Sequence, residues 1–348
     1  MNVIYDITGF GWSGSGAVID LLREYDDVQV SKEKEFAFLY NVDGIKDLEY
    51  KLLEKHCRIF DSDVAIKRFL YLIKKQYSFR KKNDVYNMAN DYIKSLTGIE
   101  YKSRSIYDSI YFPSYKYKLS GFYNYLIKKT VGNKYLTPII GKKFINFLKI
   151  QHTNKKYLSY NPLNFIEETL KFTKCIFEYI NDGSNRPIVT DHLFPPDNPT
   201  TYFKYIGDRK KCIIVRRDPR DTYILAKEIY RGAIPLPVDT VEDFIWFYKH
   251  TIEEQKINDS ENILNINFED LIYNYGRSIK IIESFLNIHQ HCRKRKFFNP
   301  LISINNTRLY TRFDKYDSDI KQIEIQLQSS LYPFDDSDNF NYSNTRIF

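Results

Sequence analysis

The chain has 348 residues, 43% hydrophobic and 28% charged, a balance typical of globular proteins with a sizeable core. The formal net charge of +8 would suit an anionic ligand, but the basic residues lie in short clusters along the chain, which we interpret as solvated surface and not as a nucleic-acid interface. Because no apolar run approaches the ~20 residues of a membrane span and the first strand leaves no room for a signal peptide, we expect a soluble, cytoplasmic protein without membrane insertion.

The first predicted elements alternate between strand and helix. Residues 3–8 form a short β-branched strand that ends in a glycine-rich turn, residues 17–25 have helical periodicity, and residues 28–30 form a second strand. This order predicts the start of an α/β fold with a parallel sheet. Residues 43–180 are mostly helical, and we interpret about residues 70–180 as a helical insertion, or lid, within a single domain spanning residues 1–348.

The strand pattern returns in the second half of the chain. Strands are predicted at residues 187–190, 211–215 and 262–267, and helices at residues 222–230, 241–254 and 277–286. Thr240 offers a cap for the middle helix. The whole pattern predicts a three-layer α/β/α architecture with a central parallel sheet and a large helical insertion.

The segment GFGWSGSG, residues 9–16, follows a strand and opens a helix. Such a loop directs backbone N–H groups and the helix dipole at an anion. It contains GxGxxG at Gly9, Gly11 and Gly14, with Glu33 near the place of a ribose-binding acid, which would suit a Rossmann-type nicotinamide oxidoreductase. However, the next segment supplies helix where that fold needs a third strand. A purely structural tight turn is a further interpretation.

The same loop has the glycine spacing of a P-loop, but Ser15 and Gly16 stand where Lys and Ser/Thr are needed. Without the lysine the loop cannot clamp β- and γ-phosphates, which disfavours a kinase or an ATP or GTP hydrolase. A nucleotide with a single 5′-phosphate fits better. No residues have metal-ligand spacing, so no metal is expected.

The Ser13-Gly14-Ser15-Gly16 core resembles the 5′-phosphosulfate loop of the sulfotransferases that use 3′-phosphoadenosine 5′-phosphosulfate (PAPS) and release the nucleotide PAP. Trp12 stands where that family usually has Lys or Arg. The resemblance implies a P-loop-like sulfotransferase fold and a donor site that includes Gly11, Trp12, Ser13, Gly14, Ser15 and Gly16.

Residues 213–221, IIVRRDPRD, resemble the family's strand-to-helix segment, in which an Arg at the strand end binds the 3′-phosphate of PAPS. A guanidinium beside a helix N-terminus is a good bidentate phosphate receptor. The resemblance gives this role to Arg217. Leu225 replaces the family's partner serine, and Thr222 is the nearest hydroxyl that could substitute.

Residues 186–195, RPIVTDHLFP, are similar to the segment that carries the catalytic histidine in the cytosolic branch of the family. By that resemblance His192 takes the proton of the acceptor hydroxyl, as a general base. Glu35, after the second strand, stands where carbohydrate sulfotransferases often place a glutamate base. The choice between His192 and Glu35 stays open.

Residues 297–308 look like a late loop that closes over the donor in some bacterial members, which implies donor contacts from Ser303, Asn306 and Arg308. Together the matches, at residues 3–48, 186–230 and 240–312, predict a sulfotransferase that moves the sulfuryl group from PAPS to a hydroxyl of a glycan or sugar-containing metabolite, as in polysaccharide modification. The tyrosine- and lysine-rich insertion would form the acceptor surface, although a homodimer interface explains the same residues. The remaining alternatives are the nicotinamide oxidoreductase and a non-catalytic basic protein that binds a nucleotide or polyanion.

Overall fold

A computed structural model describes most of the chain: residues 3–32, 35–55, 60–77, 84–103, 105–111, 122, 125–126, 129, 154–231, 236–253, 260–292 and 295–335. Its contacts divide the chain into two compact units. The core unit combines Met1–Asn41 with Leu170–Phe348, and the inserted unit is Val42–Thr169. Glu33, which lay near the place of a ribose-binding acid, is outside the described residues.

The strands of the described residues form two sheets. In chain order they are β1 Ile4–Gly9, β2 Gln29–Val30, β3 Ile99–Ser103, β4 Asn154–Leu158, β5 Ile188–Asp191, β6 Lys210–Arg216 and β7 Ile263–Asn267. The core unit has a five-stranded parallel sheet in the order β2-β5-β1-β6-β7, and β3 pairs with β4 antiparallel in the inserted unit.

Helices occupy much of both units. In chain order, the α-helices of the described residues are α1 Ser15–Leu22, α2 Ile45–Glu49, α3 Asp61–Gln76, α4 Asp84–Leu96, α5 Ile106–Tyr111, α6 Phe165–Ile180, α7 Pro199–Tyr202, α8 Pro219–Ile224, α9 Val241–Tyr248, α10 Asp270–Tyr273, α11 Tyr275–Leu286, α12 Pro300–Ser303 and α13 Asp317–Gln326. π-helical turns extend α2, α8 and α9, at Tyr50–Glu54, Leu225–Ile229 and Lys249–Glu253. None of the helices in these ranges combines the length and apolarity needed to cross a membrane.

Both faces of the parallel sheet are buried, as parallel sheets require. Because side chains alternate along a strand, Tyr5 and Ile7 of β1 face one side, where they join a core cluster with α1 and α11, and Ile4 faces the other. The Tyr5 hydroxyl also donates to the Leu286 carbonyl at the end of α11, at 2.5 Å. The predicted fold class, α/β with a central parallel sheet flanked by helices, is confirmed.

The local predictions for the second half of the chain are largely confirmed, and one strand pair was missed. The Thr240 cap is present, because its Oγ1 accepts a hydrogen bond from the Asp243 N–H at 3.1 Å. The helices predicted at residues 222–230 and 241–254 are present within the described residues, each as an α-helix followed by a π-helical turn that begins at Leu225 or Lys249. The antiparallel pair β3–β4 was missed because its two strands are about 50 residues apart in the chain. Most residues of β3 are exposed and most of β4 are half-buried, so neither strand gives a clear local signal.

The order of the sheet is incompatible with the nicotinamide alternative. In a Rossmann half-domain β1 pairs directly with β2. Here β5 lies between them and pairs in parallel with both, through Ile188 opposite Ile4 and Gln29. The GxGxxG match at the end of β1 is therefore not a dinucleotide fingerprint.

Candidate functional site

The candidate site lies at the carboxyl edge of the parallel sheet. Because β1, β5, β6 and β7 run in the same direction, the residues that follow them meet at one edge, the usual place for a ligand in such sheets. The glycine-rich loop follows β1, His192 follows β5, Arg217 follows β6 and Phe268 follows β7. Three segments singled out in the sequence are thus brought together by the sheet alone.

The glycine-rich loop has a backbone that only small residues permit at two positions. Gly14 has φ 88°, and a Cβ there would lie 2.4 Å from the ring of Phe268. At Gly9 a Cβ would lie 2.0 Å from Ser13 Oγ, so the loop folds back tightly over the end of β1. Trp12 also has positive φ, 64°, and its ring stacks on Tyr230 with centroids 3.5 Å apart.

The loop leads directly into α1, which begins at Ser15 with Gly14 as its N-cap. The first N–H groups of a helix have no partner within the helix, and the dipole makes this end positive. Ser15 and Gly16 therefore present backbone donors at the sheet edge, as the resemblance requires of a 5′-phosphate loop. A Cβ on Gly16 would meet nothing within 4 Å, so this side of the first turn is open.

Arg217 is buried beneath the loop and bonded to it. Its Nη1 donates to the Trp12 carbonyl at 3.3 Å, its Nη2 donates to the Asn306 carbonyl, and its guanidinium lies 4.7 Å from the centre of the Phe268 ring. Only 7% of Arg217 is exposed. Burial lowers its pKa from the ordinary value, although the carboxylates of Asp221 and its neighbours oppose that change.

Three acidic residues surround Arg217, and we call these four residues the edge cluster: Arg217, Asp218, Asp221 and Glu269. Asp218 caps α8 by accepting from the Arg220 N–H at 2.9 Å, and its own N–H donates to Glu269 Oε1 at 3.0 Å. Burial, followed by the charge of Asp218, raises the pKa of Glu269 to about 8. Burial likewise raises the pKa of Asp221 to about 7, against the nearby charge of Arg217.

A small cavity of about 10 Å³ lies between the loop and the edge cluster. It is lined by Phe10, Gly11, Ser13, Arg216, Arg217, Thr222, Tyr248 and Ile252. The Thr222 hydroxyl donates to the Asp218 carbonyl at 3.1 Å, so the hydroxyl predicted to replace the family's serine is engaged within its own helix.

Buried side-chain atoms without a hydrogen-bond partner are concentrated around this cavity. Among the described residues, seven such atoms belong to the loop, the edge cluster and their neighbours: Trp12 Nε1, Ser13 Oγ, Arg216 Nε, Arg217 Nε, Asp221 Oδ2, Glu269 Oε2 and Asn306 Oδ1. An unsatisfied buried polar atom is costly and is rare in ordinary structural sites. Four of these atoms are hydrogen-bond donors, namely three nitrogens and the Ser13 hydroxyl, and an anionic ligand accepts hydrogen bonds from such groups.

His192 follows β5 and Arg217 follows β6, the two strands that flank β1, so these residues lie on opposite sides of the glycine loop. Its Nε2 is 3.1 Å from the Gly9 carbonyl and its Nδ1 is 2.5 Å from Asp191 Oδ1. It has φ 54°, an uncommon conformation for a residue other than glycine. Burial favours the neutral imidazole, but the hydrogen bond and charge of Asp191 outweigh it and raise the pKa of His192.

Asp6 is a site residue that the sequence analysis missed. It is fully buried in β1, and its carboxylate accepts from the Thr190 hydroxyl at 2.9 Å and from the N–H groups of Leu193 and Phe194 at 2.8 and 2.9 Å. Burial raises the pKa of Asp6 to about 7, and these three donors oppose the rise. A carboxylate in the middle of a β-branched strand was the available signal, because aspartate is almost never buried without partners.

Glu35 is exposed and lies next to the end of β5. Its neighbour Phe36 donates its N–H to the Asp191 carbonyl at 2.6 Å, so the segment after β2 is held beside the residue that precedes His192. Glu35 has φ 40°. Both predicted bases therefore belong to neighbouring segments of this edge.

The late loop contributes differently from the prediction. Asn306 meets Arg217 through its backbone carbonyl, and its side-chain Oδ1 is one of the unpartnered atoms. Arg308 Nη2 donates to the Asp335 carbonyl at 2.8 Å, and its guanidinium lies 4.6 Å from the centre of the Phe334 ring. Ser303 ends α12 and is half-buried. Donor contacts from Ser303, Asn306 and Arg308 stay predictions.

Comparison with known proteins gives limited information. No family model matches the sequence, and no curated protein matches it. A solved structure described as retinol dehydratase in complex with androsterone and inactive cofactor PAP is similar over 98% of this chain and 83% of that chain. The sequence identity is 13% and the TM-score is 0.34, values at which the similarity carries no argument about function.

Proposed function

We propose that this chain is a sulfotransferase that moves the sulfuryl group from PAPS to a hydroxyl of a glycan or sugar-containing metabolite. The main support is the convergence of three segments at one sheet edge. Arg217 Nη1 bonds the Trp12 carbonyl at 3.3 Å, and His192 Nε2 lies 3.1 Å from the Gly9 carbonyl, so both side chains contact the same glycine loop. A 3′,5′-bisphosphate nucleotide needs a binding site for two separate phosphates.

The residues present fit such a donor. In the proposal, the backbone donors at Ser15 and Gly16 hold the 5′-phosphate, and Arg217 holds the 3′-phosphate with its planar guanidinium. Arg217 would exchange its bonds to two backbone carbonyls for bonds to phosphate oxygens, a stronger charge-assisted interaction. The unpartnered donors at Trp12, Ser13 and Arg217 support an anion at this place.

The proposed reaction is an in-line displacement at sulfur. The acceptor oxygen forms a bond to sulfur while the bond between sulfur and the 5′-phosphate oxygen breaks, and the proton of the hydroxyl moves to a base. Fixed backbone N–H groups and nearby cations stabilise the charge that develops on the departing phosphate. We assign the base to Glu35, because it is exposed to an incoming acceptor, whereas both ring nitrogens of His192 face hydrogen-bond acceptors.

The inserted unit supports a sugar acceptor. It exposes aromatic rings beside lysines, as where Lys75 Nζ lies 5.6 Å from the ring of Tyr71, which is 58% exposed. Rings of this kind stack on the apolar faces of sugars, and lysines attract acidic groups. The choice of a glycan acceptor is part of the proposal.

The direct test is transfer of labelled sulfate from PAPS to a panel of neutral and acidic oligosaccharides. We expect product with at least one acceptor, and a loss of kcat of about 100-fold in Glu35→Gln, since general bases contribute about that much or more. Glu261→Gln, at another exposed glutamate, is the matched control and should keep full activity. Binding of PAP without transfer to any acceptor would favour the non-catalytic nucleotide-binding alternative.

A further inference from the structure

The ring of His192 is placed between two hydrogen-bond acceptors. The Gly9 carbonyl, 3.1 Å from Nε2, can only accept, and ionised Asp191, 2.5 Å from Nδ1, can only accept as well. A neutral imidazole has one N–H and leaves one of these contacts without a proton. An imidazolium has two N–H groups and satisfies both.

The surrounding charges favour the imidazolium. Burial opposes the positive charge, but Asp191 on β5 and Asp6 on β1 both raise the pKa of His192. Cys212, on the neighbouring strand β6, lies close enough for Asp6 to affect it, and burial holds the pKa of its thiol well above the ordinary value. Cys212 is therefore a neutral neighbour, and the groups that raise the pKa of His192 are Asp191, which bonds its ring, and Asp6.

Asp6 also fixes the backbone on both sides of His192. One oxygen accepts from the Thr190 hydroxyl and the Leu193 N–H, and the other accepts from the Phe194 N–H. The His192 N–H itself donates to the Ile7 carbonyl at 3.0 Å. A left-handed conformation is unfavourable at a residue other than glycine, and these hydrogen bonds hold His192 in it.

We propose that Asp6 is a positioning residue that holds His192 as a double hydrogen-bond donor between Asp191 and the Gly9 carbonyl, so that His192 gives the glycine loop a fixed positive charge and does not act as a base. This proposal rests on the proposed function only for its consequence, namely that the charge stabilises the departing phosphate. The hydrogen-bond arrangement can be tested without any nucleotide.

The first test is a histidine-selective NMR titration of the protein without ligand, with His192→Gln to assign the signal. We expect both ring nitrogens of His192 to be protonated at pH 7, with a titration midpoint above the ordinary histidine value. Asp191→Asn should lower the midpoint of His192. A neutral His192 at pH 7 would overturn the proposal.

The second test addresses Asp6. Asp6→Asn should lower the midpoint of His192, because the amide loses the charge and cannot accept from all three donors. If Asp6→Asn does not fold, Thr190→Val and Thr190→Ser test the contact between Thr190 and Asp6 with a smaller change in the core. The valine removes one donor to Asp6 and should shift His192, whereas the serine keeps the hydroxyl and should restore the native value. An unchanged His192 titration in folded Asp6→Asn, or in Thr190→Val, would show that Asp6 does not position it.

A kinetic readout separates a fixed charge from a base. His192→Gln keeps a side-chain donor for the Gly9 carbonyl but removes the charge, so we expect kcat to fall about 10- to 100-fold with an unchanged acidic limb in the profile of kcat against pH. If His192 were the base, that limb would disappear in the variant. Absence of sulfuryl transfer in the native protein would remove the proposed function and leave the NMR result to be judged by itself.

Discussion

Two clusters of buried charge, one in each unit, differ in how completely they are paired. In the inserted unit, Lys156 is fully buried, and its Nζ bonds Asp108 at 2.6 and 2.7 Å and Asp63 at 3.0 Å. Lys67 bonds the same two carboxylates, at 2.9 and 3.1 Å. We call these four residues the paired cluster. Two cations face two anions, and every carboxylate oxygen has a donor, since the Tyr157 N–H bonds Asp63 Oδ1, the one oxygen that no lysine reaches.

The edge cluster of the core unit has three acidic side chains around one arginine, with Arg220 bound to Asp218 from outside at 2.7 Å. Glu269 Oε2 and Arg217 Nε have no hydrogen-bond partner within the described residues. A fully satisfied cluster stabilises one conformation, whereas a cluster with unpartnered polar atoms can still form hydrogen bonds with a ligand. The comparison indicates a structural role for the paired cluster and a binding role for the edge cluster.

The largest expected effect is in the paired cluster. Lys156→Met leaves Asp63 and Asp108 with only Lys67 as a cation, and breaking a buried ion pair in this way costs about 3–5 kcal/mol. Urea unfolding followed by circular dichroism measures the loss. Lys155→Met is the matched control, because Lys155 is the adjacent lysine and its ion pair with Glu100 is exposed; we expect a change within ~0.5 kcal/mol. Equal losses in the two variants would refute a structural role for the paired cluster.

A smaller effect is expected where the glycine loop packs on the edge cluster. Gly14→Ala places a methyl group 2.4 Å from the ring of Phe268 at a residue with φ 88°, so we expect a destabilisation of about 1–3 kcal/mol. Gly16→Ala, two residues later, meets nothing within 4 Å and should be neutral or slightly stabilising. Differential scanning calorimetry of the two variants compares them. If Gly16→Ala were the more destabilising change, the loop would have another conformation.

A third effect is expected in the pH dependence of stability. Because the folded-state pKa of Glu269 is raised to about 8, its contribution to stability is fully present below the ordinary glutamate pKa and is lost as pH rises through about 8. Glu269→Gln keeps an oxygen for the Asp218 N–H but cannot ionise. The variant should therefore match the native protein near pH 5 and exceed its free energy of unfolding at pH 8.5. A variant that is less stable at pH 8.5 would contradict the raised pKa.

Much of the fold was predictable because its signals are local. The buried strand at residues 211–215 and the glycine loop after β1 each have a recognisable pattern within about ten residues. Parallel strands then bring their carboxyl ends to one edge of the sheet. The pair β3–β4 was not predictable from the sequence. Lys156 of β4 is buried because it pairs with Asp63 and Asp108, which are distant in the chain, so no local pattern indicates a buried strand there.

The candidate site was predictable in part, for a similar reason. Resemblance located the loop, His192 and Arg217, and the structure brings them to one edge. However, Asp6 and Glu269 are held by buried contacts with residues that are distant in the chain, which no local sequence pattern indicates. The Arg308 side chain donates to the Asp335 carbonyl, and no local sequence pattern connects these two segments.

The central claim is that the edge cluster and glycine loop bind a nucleotide with both 3′- and 5′-phosphates. Calorimetric titration with PAP and with AMP, which lacks the 3′-phosphate, tests it directly. The titration is made with the native protein, with Arg217→Lys and with the control Arg23→Lys, because Arg23 follows α1 and is exposed. We predict that PAP binds at least 10-fold more tightly than AMP, and that Arg217→Lys removes most of that difference because lysine lacks the planar fork. The control should bind as the native protein does. Equal affinities for PAP and AMP in the native protein, or no binding of either, would contradict the account.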